Sequence, residues 1–227
     1  MYNPPSKRHQ YAEIASPRED DVTDIILWTV SSIRLVHLLF HLHANSPSIM
    51  TQLTPLSFLR VSRHIIPAHR GFPNSSTQNR SLYIYHAAFP SSSSPSSIEQ
   101  HLRSVGVVSP AWRYKMYTQH HFHSTAHEVL VISSGGATLF FGGEGNPKGV
   151  QAYVGKGDVI VVPAGVGHAM LEDKGGFEMV GSYPVGGAQW DHCTGDESEL
   201  GKVKSRIERL GWFERDPLYG DEGPVLE

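Results

Sequence analysis

His121-Phe122-His123-Ser124-Thr125-Ala126-His127-Glu128, closed by Gly135, and Gly157-Asp158-Val159-Ile160-Val161-Val162-Pro163-Ala164-Gly165-Val166-Gly167-His168 fit together as one metal site. In a β-strand, side chains two apart point to the same face, so His121 and His123 can hold one ion between them. Borderline divalent metals accept imidazole and carboxylate in any mixture, and Glu128 and His168 would complete a set of three histidines and one carboxylate that leaves positions open for substrate or water. A lone His-x-His pair says little in a chain with fourteen histidines, where His41 and His43 also form one and His120 adjoins His121. The spacing says more, because the turn residues around the pair each have a mechanical task. Gly135-Gly136 and Gly155-Lys156-Gly157 sit between short Val/Ile/Phe-rich runs, and Pro163-Ala164-Gly165 ends a strand so that His168 swings toward the site.

Outward from this pair of segments, strand-like runs are expected at 82–85, 113–118, 121–123, 128–132, 137–141, 151–154, 158–162 and 177–182, separated by glycine-rich turns such as 142–149. Short strands at such spacing mean a barrel or sandwich. A serine-rich loop, 91–97, leads into a short helix over 98–105, with Ser96 and Glu99 as a capping box and Gly106 as its stop. A second helix, near 197–210, carries Leu200, Val203, Ile207 and Leu210 on one stripe and is stopped by Gly211; the stripe would either cover the barrel or join a homodimer.

The two opening segments resemble the two consensus motifs of the cupin superfamily: His-x-His, four residues, Glu, six residues, Gly, and then Gly, five residues, Pro-x-Gly, two residues, His. Lys115 stands where the first motif usually opens with glycine, and Glu172 where the second usually closes with asparagine; neither position is a ligand in the family. A narrower likeness, to the YjlB-type cupins, runs through Pro67-Ala68-His69-Arg70-Gly71-Phe72-Pro73-Asn74, Leu82-Tyr83-Ile84-Tyr85, the run from His120 to Val129, Phe141-Gly142-Gly143-Glu144-Gly145, Gly181-Ser182-Tyr183-Pro184 and Asp216-Pro217-Leu218-Tyr219-Gly220. The resemblance implies an all-β fold, a single jelly-roll barrel of the double-stranded β-helix type with a few peripheral helices and a metal inside its mouth. Its implied ligands are His121, His123, Glu128 and His168, holding one divalent ion of iron, manganese, nickel or zinc.

One conflict lies inside the site. Uninterrupted strand alternation from His121 and His123 selects His127 for the same face, whereas the family spacing selects Glu128, which then needs a bend or bulge at 124–126 to restore its facing. With Glu128 as the ligand, His127 becomes a neighbouring group or a general acid/base at the rim, so His127 and Glu128 are the candidate catalytic residues.

Composition agrees with a soluble, enzyme-sized domain. With 227 residues and a formal net charge of −3 the chain can bury one good core, and it has no basic stripe for nucleic acid or an acidic membrane. The single cysteine, Cys193, cannot form an intrachain disulfide, and Asp191, Asp196 and Glu197 around it disfavour a thiolate. Residues 1–49 read differently. Up to Asp24 they are polar and broken by prolines, and the apolar run 25–42 is interrupted by Arg34, His37 and His41, which is too polar for a membrane span and wrongly placed for a secretory signal. The expectation is a dispensable N-terminal extension over 1–49, a functional start at Met50 and one cupin domain over 50–227, with the metal-binding core at about 112–185 and a helical segment at about 196–211. Gly142-Gly143-Glu144-Gly145 is a hairpin turn, because strand residues follow where a phosphate loop needs a helix. Among the aromatics, Trp112, Tyr117, Phe140, Phe141 and Tyr183, only those alternating onto the metal face are expected in a pocket.

The chemistry expected of such a site is that of a metal-dependent enzyme on a small oxygen-rich substrate. Oxygenase chemistry leads, isomerase or decarboxylase chemistry is the alternative, and a non-catalytic binding cupin is the third reading. The expected partner is a small molecule, without nucleic acid or membrane, in the cytoplasm.

Overall fold

Runs of β-branched and aromatic residues between turn glycines become strands. In the computed structural model, which describes residues 52–227, they are β1 (Arg60–His64), β2 (Leu82–His86), β3 (Val108–Tyr114), β4 (Glu128–Ser134), β5 (Gly136–Phe141), β6 (Val150–Gly155), β7 (Val159–Val162), β8 (His168–Asp173) and β9 (Glu178–Pro184). They form a six-stranded antiparallel sheet in the order β1-β2-β7-β4-β9-β3 and a three-stranded one in the order β6-β5-β8. The described residues belong to one compact unit, Met50–Glu227. The expectations for residues 1–49 lie outside the described residues.

Leu82 and Ile84 of β2, Leu130 and Ile132 of β4 and Ile160 and Val162 of β7 face inward, where they meet Leu139, Phe141 and Val154 of the smaller sheet. The intervening residues, Tyr83, Tyr85, Val129, Val131, Val159 and Val161, face the other way and are buried too, under a helix and the C-terminal segment. This is why β2, β4 and β7 lack the polar-apolar alternation of a sheet with one wet face. Truncating a fully buried inward residue such as Leu130 to Ala costs roughly 2–5 kcal/mol.

The covering helix, α1 (Pro95–Val105), places Ile98 and Leu102 on the outer face of the large sheet. Its capping box lies two residues upstream of the expected one: Ser94 and Ser97 exchange side-chain and backbone bonds at 3.0 and 3.1 Å, with Pro95 in the first turn. Glu99, expected as the box partner, instead holds Arg113 at 2.6 Å. Gly106 ends the helix in the left-handed region, at φ 74°, as expected. The second helix, α2 (Leu200–Glu208), is shorter than 197–210, being preceded by a 3-10 turn over Glu197–Glu199 capped by Asp196, and it closes before Gly211. Its Val203 and Ile207 lie on Phe72, Phe122 and Ala164, so the stripe is taken up within the chain and is not a free dimer face.

Three strand expectations are corrected. The run 113–118 is displaced, since β3 begins at Val108, directly after the helix; it is an edge strand, which tolerates Pro110 beside a register shift. Residues 121–123 form only isolated bridges, with His168 and Cys193. Strands β1 and β8 were not expected; both are sheet edges with half-exposed residues and therefore no continuous apolar signal.

Candidate metal centre

His121 and His168 face each other across an antiparallel bridge, with backbone bonds of 3.2 and 2.8 Å between them, and their ring centroids lie 4.2 Å apart. His123 follows on the same face, and its carbonyl accepts the Gly165 N–H at 2.8 Å, which ties the first motif to the second. Gly165 makes this turn at φ 89°. Asn74, fully buried, fixes the same turn from the other side: its amide donates to the carbonyls of Pro67 and Gly142, and its oxygen accepts the Gly167 N–H. The Pro67 to Asn74 stretch thereby gains a mechanical reason, because it holds the loop from which His168 projects.

The strand does break where the family spacing requires it. Residues 124 and 125 form a bend, clamped by the Asp191 carboxylate, which accepts from the Ser124 N–H at 2.6 Å, the Ser124 hydroxyl at 2.5 Å and the Thr125 N–H at 3.3 Å. The bend turns Glu128 onto the histidine side. Its carboxylate oxygens lie 3.4 Å from His123 Nε2 and 3.5 Å from His168 Nε2, and Oε1 accepts the Tyr183 hydroxyl at 2.6 Å.

The same bend sends His127 away, which corrects its expected place at the rim. Its Nδ1 accepts the Ala164 N–H at 2.9 Å, leaving Nε2 to donate to the Gly211 carbonyl at 3.2 Å, and its ring lies edge-on to Trp212. Both nitrogens are spent inside the protein. His120 also turns outward, against Phe72 and Phe140.

All three inward histidines share one tautomer. Each Nδ1 is bonded to a backbone carbonyl: Gln119 for His121 at 3.1 Å, Val166 for His168 at 3.0 Å, and Asp191 for His123. A carbonyl only accepts, so each Nδ1 carries a proton and in the neutral ring each Nε2 keeps its lone pair, the arrangement that metal-ligating histidines adopt. The ligand nitrogens of the three lie within 4.8 Å of one another, and all three residues are buried. Three converging lone pairs beside a buried carboxylate fit a cation, and the imidazole and carboxylate donor set suits iron, manganese, nickel or zinc.

The electrostatics agree. Burial, reinforced by the neighbouring His168 and His123 rings, pushes His121 down to about 3; burial likewise holds His168 at about 4. Burial would raise the Glu128 carboxyl, but the hydrogen bond and charge of His123, with His168 and Tyr183, outweigh it and hold it at about 2. For His123 burial opposes protonation, and the adjoining Glu128 carboxylate more than compensates, so its pKa is raised. Glu128 thus favours a positive charge among the imidazoles.

Above the cluster opens a cavity of about 350 Å³, walled by Trp112, Tyr117, Tyr183 and Trp190, with Leu130 and Met179 deeper in. Of the five aromatics singled out from sequence, Trp112, Tyr117 and Tyr183 line it, whereas Phe141 is barrel core and Phe140 lies against His120. The indole of Trp112 sits over Gly181, where any Cβ would run into it.

Sequence reasoning missed residues 189–193, a strap that follows β9. Trp190 stacks on Tyr183 at 5.6 Å, Asp191 clamps the bend and accepts the His123 Nδ1–H on its carbonyl, and His192 stacks on His121 at 4.7 Å. Cys193 closes the strap with two backbone bonds of 2.9 Å to Phe122. Trp190-Asp191-His192 is a signal in retrospect, an aromatic, an acid and a histidine together just after the last barrel strand; the sequence reading used Asp191 only as a charge beside Cys193. The Cys193 thiol is indeed pushed up, to about 11, by burial and by Asp191.

A family model described as Cupin matches residues 105–181. An uncharacterised protein, YjlB, of Bacillus subtilis (strain 168) is 38% identical over 119 residues, which is 52% of this chain and 70% of that protein. Among solved structures, a deletion mutant of Bacillus subtilis oxalate decarboxylase is 17% identical, with a TM-score of 0.31 over 50% of this chain and 28% of that one. Salicylate 1,2-dioxygenase from Pseudaminobacter salicylatoxidans is 13% identical, with a TM-score of 0.25 over 69% and 33%. Pumpkin seed globulin is 13% identical, with a TM-score of 0.29 over 63% and 29%. The chain therefore spans about a third or less of these solved proteins. Among the described residues no helix is long and apolar enough to cross a membrane.

Proposed function

The chain belongs to the cupin family as a YjlB-like member, and on that premise we propose that it is a metal-dependent enzyme acting on a small oxygen-bearing substrate, with oxygenase chemistry as the leading version. One observation carries the reading: three imidazoles with Nδ1 pinned to the main chain converge, with one buried carboxylate, on the floor of an open cavity. His121, His123, His168 and Glu128 would hold the ion. A divalent ion held there supplies Lewis acidity for an enol, carbonyl or carboxylate oxygen and, if it is iron, the means to use dioxygen.

The chain's own residues do the remaining work. Tyr183 donates to Glu128 and fixes the carboxylate's orientation, while the aromatic walls exclude water from the reacting centre. His192, which lines the cavity beside His121, is the group placed to take or return a substrate proton, in the role expected from sequence for His127. That placement also favours the second reading, a metal-dependent isomerase or decarboxylase, in which proton transfer is the chemistry. The same reading takes residues 50–227 as the cupin domain and 1–49 as a dispensable extension.

Elemental analysis of protein purified without added metal, followed by turnover assays in air and under argon, tests the proposal. About one ion per chain and oxygen-dependent turnover is the expected result. Oxygen-independent turnover selects the second reading, and ligand-induced thermal stabilisation without any turnover would leave a binding cupin.

A further inference from the structure

We infer that the cavity takes a planar aromatic ring bearing adjacent oxygen donors, which reach the histidine and carboxylate floor while the ring fills the walls; this rests on the metal-centre reading and names its substrate class. Size comes first. A cavity of about 150 Å³ suffices for benzene, so about 350 Å³ has room for one substituted ring over the floor.

The wall chemistry then narrows the class. Among the described residues no Asp, Asn, Gln, Ser or Thr lines the cavity, and its one carboxylate, Glu128, lies in the floor. Lys115 and Arg113 are at the edge, but each is engaged, with Asp173 at 2.7 Å and Glu99 at 2.6 Å. The Tyr183 hydroxyl is used in both directions, accepting from Trp112 Nε1 at 3.1 Å and donating to Glu128. A sugar or polyol could pair with His192 and the hydroxyls of Tyr114 and Tyr117, but its other hydroxyls would face Trp112, Trp190, Leu130 and Met179, and each one left unmatched would cost the free energy of its lost water. A short dicarboxylate would satisfy the floor but leave the aromatic walls wet. A ring answers both, since Trp112, Trp190 and Tyr117 offer the faces and edges that aromatic pairs favour. Tyr117, 53% exposed at the rim, stands edge-on to His121 at 5.4 Å, between solvent and floor.

Zinc makes the test independent of oxygenase turnover, because it carries no redox chemistry. Calorimetric titration of zinc-loaded protein with 2-hydroxybenzoate, catechol, oxalate and glucose should give dissociation constants at least about tenfold lower for the two aromatic probes. Trp190→Leu should raise those constants about three- to tenfold, the range for losing one aromatic contact, when compared with wild type at matched zinc occupancy. Because Trp190 belongs to the strap, Tyr117→Leu is the second variant, with the same expected direction. Oxalate or glucose binding as tightly as the aromatic probes overturns the inference, as do aromatic constants unmoved in both variants. Equal binding of 2-hydroxybenzoate by zinc-free His168→Ala protein also overturns it, since the floor would then play no part. Failure of the wild-type chain to take up zinc removes the metal-centre reading itself, and this inference with it.

Discussion

Two stretches of chain enclose one cavity and were not equally legible. The floor, from His121 to His168, consists of side chains of metal-ligand type at fixed spacing, so its members can be named before any fold is known. The strap, residues 189–193, acts largely through a backbone carbonyl, a clamp on a bend and two stacked rings, none of which has a spacing rule. Ligands announce themselves by side-chain type, whereas the parts that aim them are defined by where the backbone passes.

The sharpest way to break this division is to remove the floor. Alanine at His121, His123, His168 or Glu128 is expected to strip metal and any activity while leaving the β-rich circular dichroism spectrum in place. Full metal occupancy in His168→Ala protein would refute the site. Next in size is the strap. Asp191→Ala releases the bend at Ser124 and Thr125 and loosens His123, and is expected to weaken metal binding about 10- to 100-fold. Asp191→Asn should lose less, because its amide oxygen can still accept from Ser124. A metal affinity unchanged in Asp191→Ala would reduce the strap to mere covering.

His127 supplies a smaller contrast, since it adjoins a ligand in sequence but faces elsewhere. His127→Ala leaves the buried Ala164 N–H unpaired and should cost about 1–3 kcal/mol in denaturant unfolding, with metal retained. If that variant lost metal while Glu128→Ala kept it, strand alternation would outrank the bend. Acid sharpens the same point. Burial lowers His127 to about 4 from its ordinary 6.5, so the folded state prefers the neutral ring; its contribution to stability is complete above about pH 6.5 and is lost as pH falls toward 4. Wild-type stability should therefore decline across that window more steeply than that of the His127→Ala variant. The smallest effect is expected for His120→Ala, which should keep its metal.

Much of the barrel was readable for the reason the floor was. Strands β4, β5, β6, β7 and β9 each lie within two residues of a turn glycine, and β2 is the apolar run Leu82-Tyr83-Ile84-Tyr85, so composition or punctuation marks every one. Strands β1 and β8 mix exposed polar residues with apolar ones, and there the pattern fades. The helix caps slipped for a local reason: Ser94, Ser96 and Ser97 all suit an N-terminus, and the need of Arg113 for Glu99 took the acid out of contention. The choice between His127 and Glu128 depended on Asp191, more than sixty residues away in sequence. No local pattern can report a bend held from that distance.

The proton positions on His121, His123 and His168 are set by peptide carbonyls, which no point substitution deletes. The floor can therefore stay constant through evolutionary change that rewrites the walls. Variation among related chains should accumulate at Trp112, Tyr117 and Trp190, leaving a constant floor beneath walls whose rings are exchangeable.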